Sequence, residues 1–165
     1  MPQLNFLQLC DTPSDNDWRI AVHEAGHAVF AAMQDWPIEH AAVGPNEFGE
    51  VSLAHNPIDE PQHLSSDDYA KWKAYYAAGA AAEHLVFGEI RIGAFGGGVS
   101  RGNDLDNHRT LCEFESFCSS IERALQTLSK DDVEKVATEL QNRRKPSKLS
   151  GDEVYSIIGR KTPWS

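Results

Sequence analysis

Cysteine is scarce in this chain: Cys10, Cys112 and Cys118 are odd in number and form no C-x-x-C pair. This excludes a disulfide framework and argues against thiolate ligation of a metal; it fits idle thiols in a reducing compartment. Long apolar runs are missing too. The longest, Ala74 to Ala82, is mostly alanine with a glycine inside it, well short of the roughly 18–20 apolar residues that span a bilayer. The opening MPQLNFLQLC has neither the basic nor the apolar region of a secretion signal. The expectation is a cytoplasmic protein with no membrane insertion. Phosphate-binding loops are absent as well. The stretch GAFGGGVSRG (93–102) lacks the Lys-Ser/Thr of a P-loop and does not match G-x-G-x-x-G, so it reads as a connector. Positive charge is in deficit, with 15 Lys and Arg against 25 Asp and Glu and a net charge of −10. An acidic body repels nucleic acid and attracts cations. The basic run Arg143 to Lys145 reads as a solvated helix end.

What is present points to one domain over residues 1–165, a length that buries roughly 70% of the unfolded surface. Pro13 with Asp15 and Asp17 opens a helix expected to reach about Asp35. Trp18, Val22, Ala25, Val29, Met33 and Trp36 form one apolar face of it. Ile20, Ala28 and Phe30 leave the other side little more polar. A helix apolar almost all round belongs inside the protein, where its polar side chains must find partners. After Pro37, two short strands are expected around Gly44-Pro45-Asn46, the second alternating Val51 and Leu53 with smaller residues. A second long helix follows, capped by Ser65 or Ser66 and stopped at Gly88, its alanine-rich middle suited to close packing. Further helices are expected from Asn103, about Ser119 and Ser129, and a last short one with Ser150 and Glu153 spaced as a capping box. The fold class expected is mainly α with a small β-hairpin or sheet, α+β.

The chemistry lies in AVHEAGHAV, residues 21 to 29. Positions i and i+4 of an α-helix differ by about 40°, so His23 and His27 point the same way. Two neutral imidazoles so placed can hold one Zn²⁺, and Glu24 beside them can take a proton from a water that the metal polarises. A zinc site with an open position needs a third protein ligand. In GNDLDNHRT, Asp104 opens a helix and His108 is one turn along the same face. Asp106 is about 200° around from Asp104 and faces away. Periodicity leaves Asp104 and His108 level. His40, His55, His63 and His84 read individually as surface or packing residues.

Three segments in order, HEAGHA (23–28), GAAAEHLVFGE (79–89) and NDL (103–105), resemble the peptidase part of the FtsH family of ATP-dependent zinc proteases. That family's pattern is HEAGHA, then G-R-A-A-E-E-L-x-F-G-E, then N-D-[IL] opening a helix. The tail LSGDEVYSII is similar to its closing segment, so the resemblance runs from about residue 17 to 160. It implies a zincin-like helical metallopeptidase domain with Zn²⁺ as cofactor, His23, His27 and Asp104 as ligands, and Glu24 as catalytic base. It also implies a role near the metal for Glu83, and an edge strand, Gly49 to His55, along which an extended peptide pairs. The implied partners are a peptide or unfolded protein substrate and, for a peptidase standing alone without its ATPase module, a separate ATPase or unfoldase. His84 replaces the pattern's second glutamate, Ala80 replaces its arginine, and the glycine-rich stretch before Asn103 is longer. The function expected is zinc-dependent endopeptidase; the alternative is a non-catalytic, zinc-containing module that binds a peptide or partner.

Overall fold

A computed structural model of the chain describes residues 3–4, 6–7, 13–45, 48–55, 64–91 and 117–164. The elements in chain order are β1 (Phe6–Leu7), α1 (Pro13–Met33), β2 (Ile38–Val43), β3 (Gly49–Leu53), α2 (Ser66–Phe87), β4 (Ile90–Arg91), α3 (Phe117–Thr127), α4 (Lys130–Asn142), β5 (Ser147–Ser150) and α5 (Gly151–Ile157). The protein is mainly helical with a small antiparallel sheet of order β3-β2-β5, an α+β architecture. Separately, β1 and β4 make a short parallel pair. No described helix is long and apolar enough to cross a membrane. The expected helix from Asn103, the loop with Pro57 and Pro61, His63, Cys10 and Cys112 lie outside the described residues.

Helix α1 is the centre of the molecule, as its all-round apolarity requires. From Ala21 to Ala32 every residue is buried except Glu24, which is partly exposed. Helix α2 packs along it, α4 lies on another side, and β2 and β3 cover a third. The α1–α2 approach depends on small residues. A Cβ at Gly26 would stand 2.5 Å from the Ala78 carbonyl oxygen and 2.5 Å from the Ala82 Cβ. The alanines of α2 thus serve as a flat surface against α1, all of them from Ala74 to Ala82 buried. At one end of this pair, Trp36 stacks on Trp72 at 4.1 Å between centroids, with Tyr75 edge-on to both.

The helix ends follow their sequence signals. Ser65 caps α2 by accepting from the Asp68 N–H, and Gly88 closes it in the left-handed conformation at φ 73°. Ser129 caps α4, and Ser150 with Glu153 forms the full capping box of α5. Arg143 ends α4 as a helix-end cation and also reaches onward. It donates to the Lys148 carbonyl at 3.0 Å and to Glu153 at 2.7 Å, holding the Glu153 carboxyl below the usual carboxylate range.

Candidate metal-binding site

The two histidines of α1 are buried and their rings converge. His23 Nε2 and His27 Nε2 are 3.3 Å apart. The opposite nitrogen of each ring is held from α2. His23 Nδ1 is 2.8 Å from Glu83 Oε1, and His27 Nδ1 is 2.8 Å from the Tyr75 carbonyl oxygen. A carbonyl and a carboxylate oxygen accept, so each Nδ1 carries the proton and donates it. Each Nε2 is then left as the acceptor nitrogen. Two acceptor nitrogens at this distance repel unless a positive centre lies beside them. Hydrogen bonds of this kind, from the far ring nitrogen to a carboxylate or a backbone carbonyl, are how metal-ligating imidazoles are oriented.

Two nitrogens each about 2.0–2.1 Å from a tetrahedral Zn²⁺ lie about 3.3–3.4 Å from one another. The Nε2 pair has that separation. The residues present fit the ion.

Tight packing sets the rings. Gly79 of α2 faces His23, and a Cβ built there would overlap the imidazole at Nε2. In an ordinary helix interior alanine is favoured over glycine by about 0.8–1.0 kcal/mol. Here the sign is expected to reverse. Gly79→Ala must push His23 off Glu83 or overpack the interface, at a cost of roughly 1–3 kcal/mol. Chemical denaturation of the variant checks this, and stability at or above wild type would contradict the ring's placement.

Glu24 lies on the sheet side of α1. A Cβ at Gly49, the first residue of β3, would stand 2.5 Å from Glu24 Oε1 and 2.6 Å from its Cγ. The glycine lets the carboxylate rest against the backbone where the edge strand begins. Among the described residues β3 and β5 are the outer strands of the sheet, and β3 is the one against this carboxylate. The β5 side is taken up by Arg143 and by the immediate turn into α5.

Behind His23 the polar contacts continue. Glu83 is fully buried, and its Oε2 lies 3.9 Å from Arg19 Nη1. Arg19 in turn donates from Nη2 to Glu89 at 2.7 Å and sits 4.2 Å over the Phe87 ring.

The structure therefore brings together His23, His27 and Glu83, while Glu24, next to His23 in the sequence, lies against Gly49 of β3. Asp104, Asp106, His108 and the 93–102 stretch lie outside the described residues, and among the described residues no group of three or more metal-ligating side chains gathers. Glu83 does not make such a third, because it holds the outer nitrogen of His23. The other described histidines have separate surroundings. His40 pairs with Glu50 at 2.8 Å on the exposed sheet face, His55 is exposed, and His84 sits half-buried in the last turn of α2. Sequence reasoning passed over Tyr75, Gly79 and Arg19. Arg19 stands four residues before His23, a spacing that was available as a signal. The other two depend on how α2 is rotated against α1.

No family model matches the chain. Among curated proteins, the ATP-dependent zinc metalloprotease FtsH of Lancefieldella parvula is 35% identical over 78 residues, which is 46% of this chain and 12% of that protein. The protein of the same name from Pseudomonas putida is 34% identical over 86 residues, 49% of this chain and 14% of the relative. The chain thus spans about an eighth of the length of the curated relatives it matches. These partial matches support a relation to the FtsH family over about half of the chain, and with it to zinc metalloproteases.

Proposed function

We propose that this chain is an FtsH-type peptidase domain, a zinc-dependent endopeptidase acting on unstructured polypeptides. The observation that carries the reading is the convergence of two acceptor nitrogens at zinc-ligand spacing, each backed by a hydrogen bond from its far side. A proton shared by the two rings would also satisfy the nitrogens. It would give no task to Glu24, which follows His23 in the sequence and lies against Gly49 at the start of β3.

His23, His27 and, by resemblance, Asp104 would hold the ion. Bound there, Zn²⁺ supplies Lewis acidity, polarising a peptide carbonyl and making a water easier to deprotonate. The chain's own groups do the rest. Glu24 takes the proton from the attacking water and later returns it to the leaving amine. Glu83 and the Tyr75 carbonyl keep both rings in the tautomer that presents Nε2. Strand β3 offers its backbone to an extended peptide, and Gly49 brings that backbone up to Glu24, so the scissile bond and the base meet.

A strand can pair with β3 only when it is free of other structure. Incubated alone, the chain is expected to fragment casein or a denatured protein, to lose this activity to a zinc chelator, and to leave a stably folded, disulfide-free domain intact. Mass spectrometry of the digest reads all three. Chelator-resistant cleavage, or rapid digestion of the folded domain, would contradict the proposal. A separate ATPase or unfoldase would be the partner that supplies folded substrates in extended form.

A further inference from the structure

We propose that Arg19 is a positioning residue for the histidine pair, its guanidinium holding the Glu83 carboxylate in place as acceptor of the His23 Nδ1–H. This rests on the zinc reading above and extends it to a residue that touches neither metal nor substrate.

Glu83 is fully buried near the C-terminal end of α2, where the helix dipole is negative. A carboxylate there needs a positive partner, or its burial is costly. The carboxylate is addressed from both sides by α1, which carries Arg19 and His23 one turn apart on the same face. One oxygen, Oε1, meets His23 Nδ1 at 2.8 Å, and the other, Oε2, faces Arg19 Nη1 at 3.9 Å. That second distance is a charge contact, longer than a hydrogen bond.

Arg19 is itself fixed at its outer side. Its Nη2 donates to Glu89 at 2.7 Å, and its Cζ lies 4.2 Å over the Phe87 ring. Phe87 is one turn beyond Glu83, and Glu89 follows the cap of the same helix. Both anchors therefore belong to the end of α2 that carries Glu83, so the guanidinium cannot swing away from the carboxylate without leaving both. Nη1, the nitrogen turned toward Glu83, is buried and has no hydrogen-bond partner among the described residues. Its interaction there is with the carboxylate charge. Ring orientation thus passes from the α2 terminus through Arg19 and Glu83 to His23.

The test is a double-mutant cycle on the full chain, with zinc affinity measured by competition with a chromophoric chelator and folding followed separately by circular dichroism. Loss of a partner outside the ligand sphere costs roughly ten- to a hundredfold in metal affinity. Arg19→Met is expected at the lower end of that range, and Arg19→Lys, which keeps a charge, should recover part of the loss. In a Glu83→Gln background, adding Arg19→Met should change affinity no further, because the path through the carboxylate is already broken. A merely structural arginine would instead lower stability in both backgrounds and leave the affinity of the folded protein alone. Should Arg19→Met fail to fold, Glu89→Gln, which loosens the guanidinium while keeping its charge, is read in the same two backgrounds with the same expected pattern. Unchanged affinity in the folded variant, or an equal drop with and without Glu83, overturns the proposal. Failure of the underlying zinc reading looks different: His23→Ala would then bind zinc as tightly as wild type, or wild type would bind none, and the role of Arg19 falls with it.

Discussion

Glu24→Gln is expected to keep one zinc per chain and the wild-type stability while losing peptide cleavage by roughly 10²–10⁴-fold, the usual contribution of a general base. The amide has the shape of the carboxylate, so its packing against the Gly49 backbone, where a Cβ would come within 2.5 Å of Oε1, should persist. The His23 and His27 nitrogens that converge at 3.3 Å are untouched by the change. What is removed is the capacity to accept a proton beside the strand on which the peptide would lie. Metal analysis and a peptidase assay on one sample decide the matter. Wild-type turnover in the variant would end the role assigned to Glu24. Loss of zinc together with activity would make Glu24 a ligand instead.

The second large effect concerns the third ligand. Two histidines leave a zinc ion short of the three protein groups that an open catalytic site uses. The resemblance to the FtsH pattern implies that role for Asp104, and on the helix that the sequence predicts from Asn103 His108 would share its face. Asp104→Ala is expected to weaken zinc binding by more than the roughly 10–100-fold that loss of an outer partner costs, and to abolish cleavage. Asp106→Ala should do neither, because on the helix that the sequence predicts from Asn103 it would fall about 200° around from Asp104. His108→Ala should retain the metal. Competition against a chelator ranks the three variants. Zinc lost by the His108 variant and kept by the Asp104 variant would transfer the ligand role to His108.

Much of this protein is local, and local features are legible in one dimension. The spacing of His23 and His27 determines that they share a helix face whatever surrounds them, and the 3.3 Å between their Nε2 atoms agrees with that. The near-total apolarity of residues 20–33 determines that α1 is interior. Ser65, Ser129, the Ser150–Glu153 box and Gly88 mark helix ends because capping bonds join residues three or four apart. The hairpin of β2 and β3 follows from a glycine-proline turn between two short apolar runs.

Other features exist only once the helices have docked. Strand β5 has a single apolar residue, Leu149, within Ser-Lys-Leu-Ser, and no pattern that short announces a strand. It forms because the backbone of β2 offers an edge there, pairing Ala41 with Leu149. The β1–β4 pair joins residues more than 80 positions apart for the same reason. The bonds that orient the two imidazoles cross 60 positions, from His23 to Glu83, and 48, from His27 to Tyr75. Which residues of α2 meet them depends on the rotation of one helix against the other, and small residues set that rotation. Gly26 admits Ala78 and Ala82, and Gly79 admits the His23 ring. The sequence by itself determined that two histidines and a glutamate share one buried helix. Only the packing of α2 against that helix decided which nitrogen of each ring faces the common point, because a hydrogen-bond acceptor selects a tautomer only after it has been brought within reach.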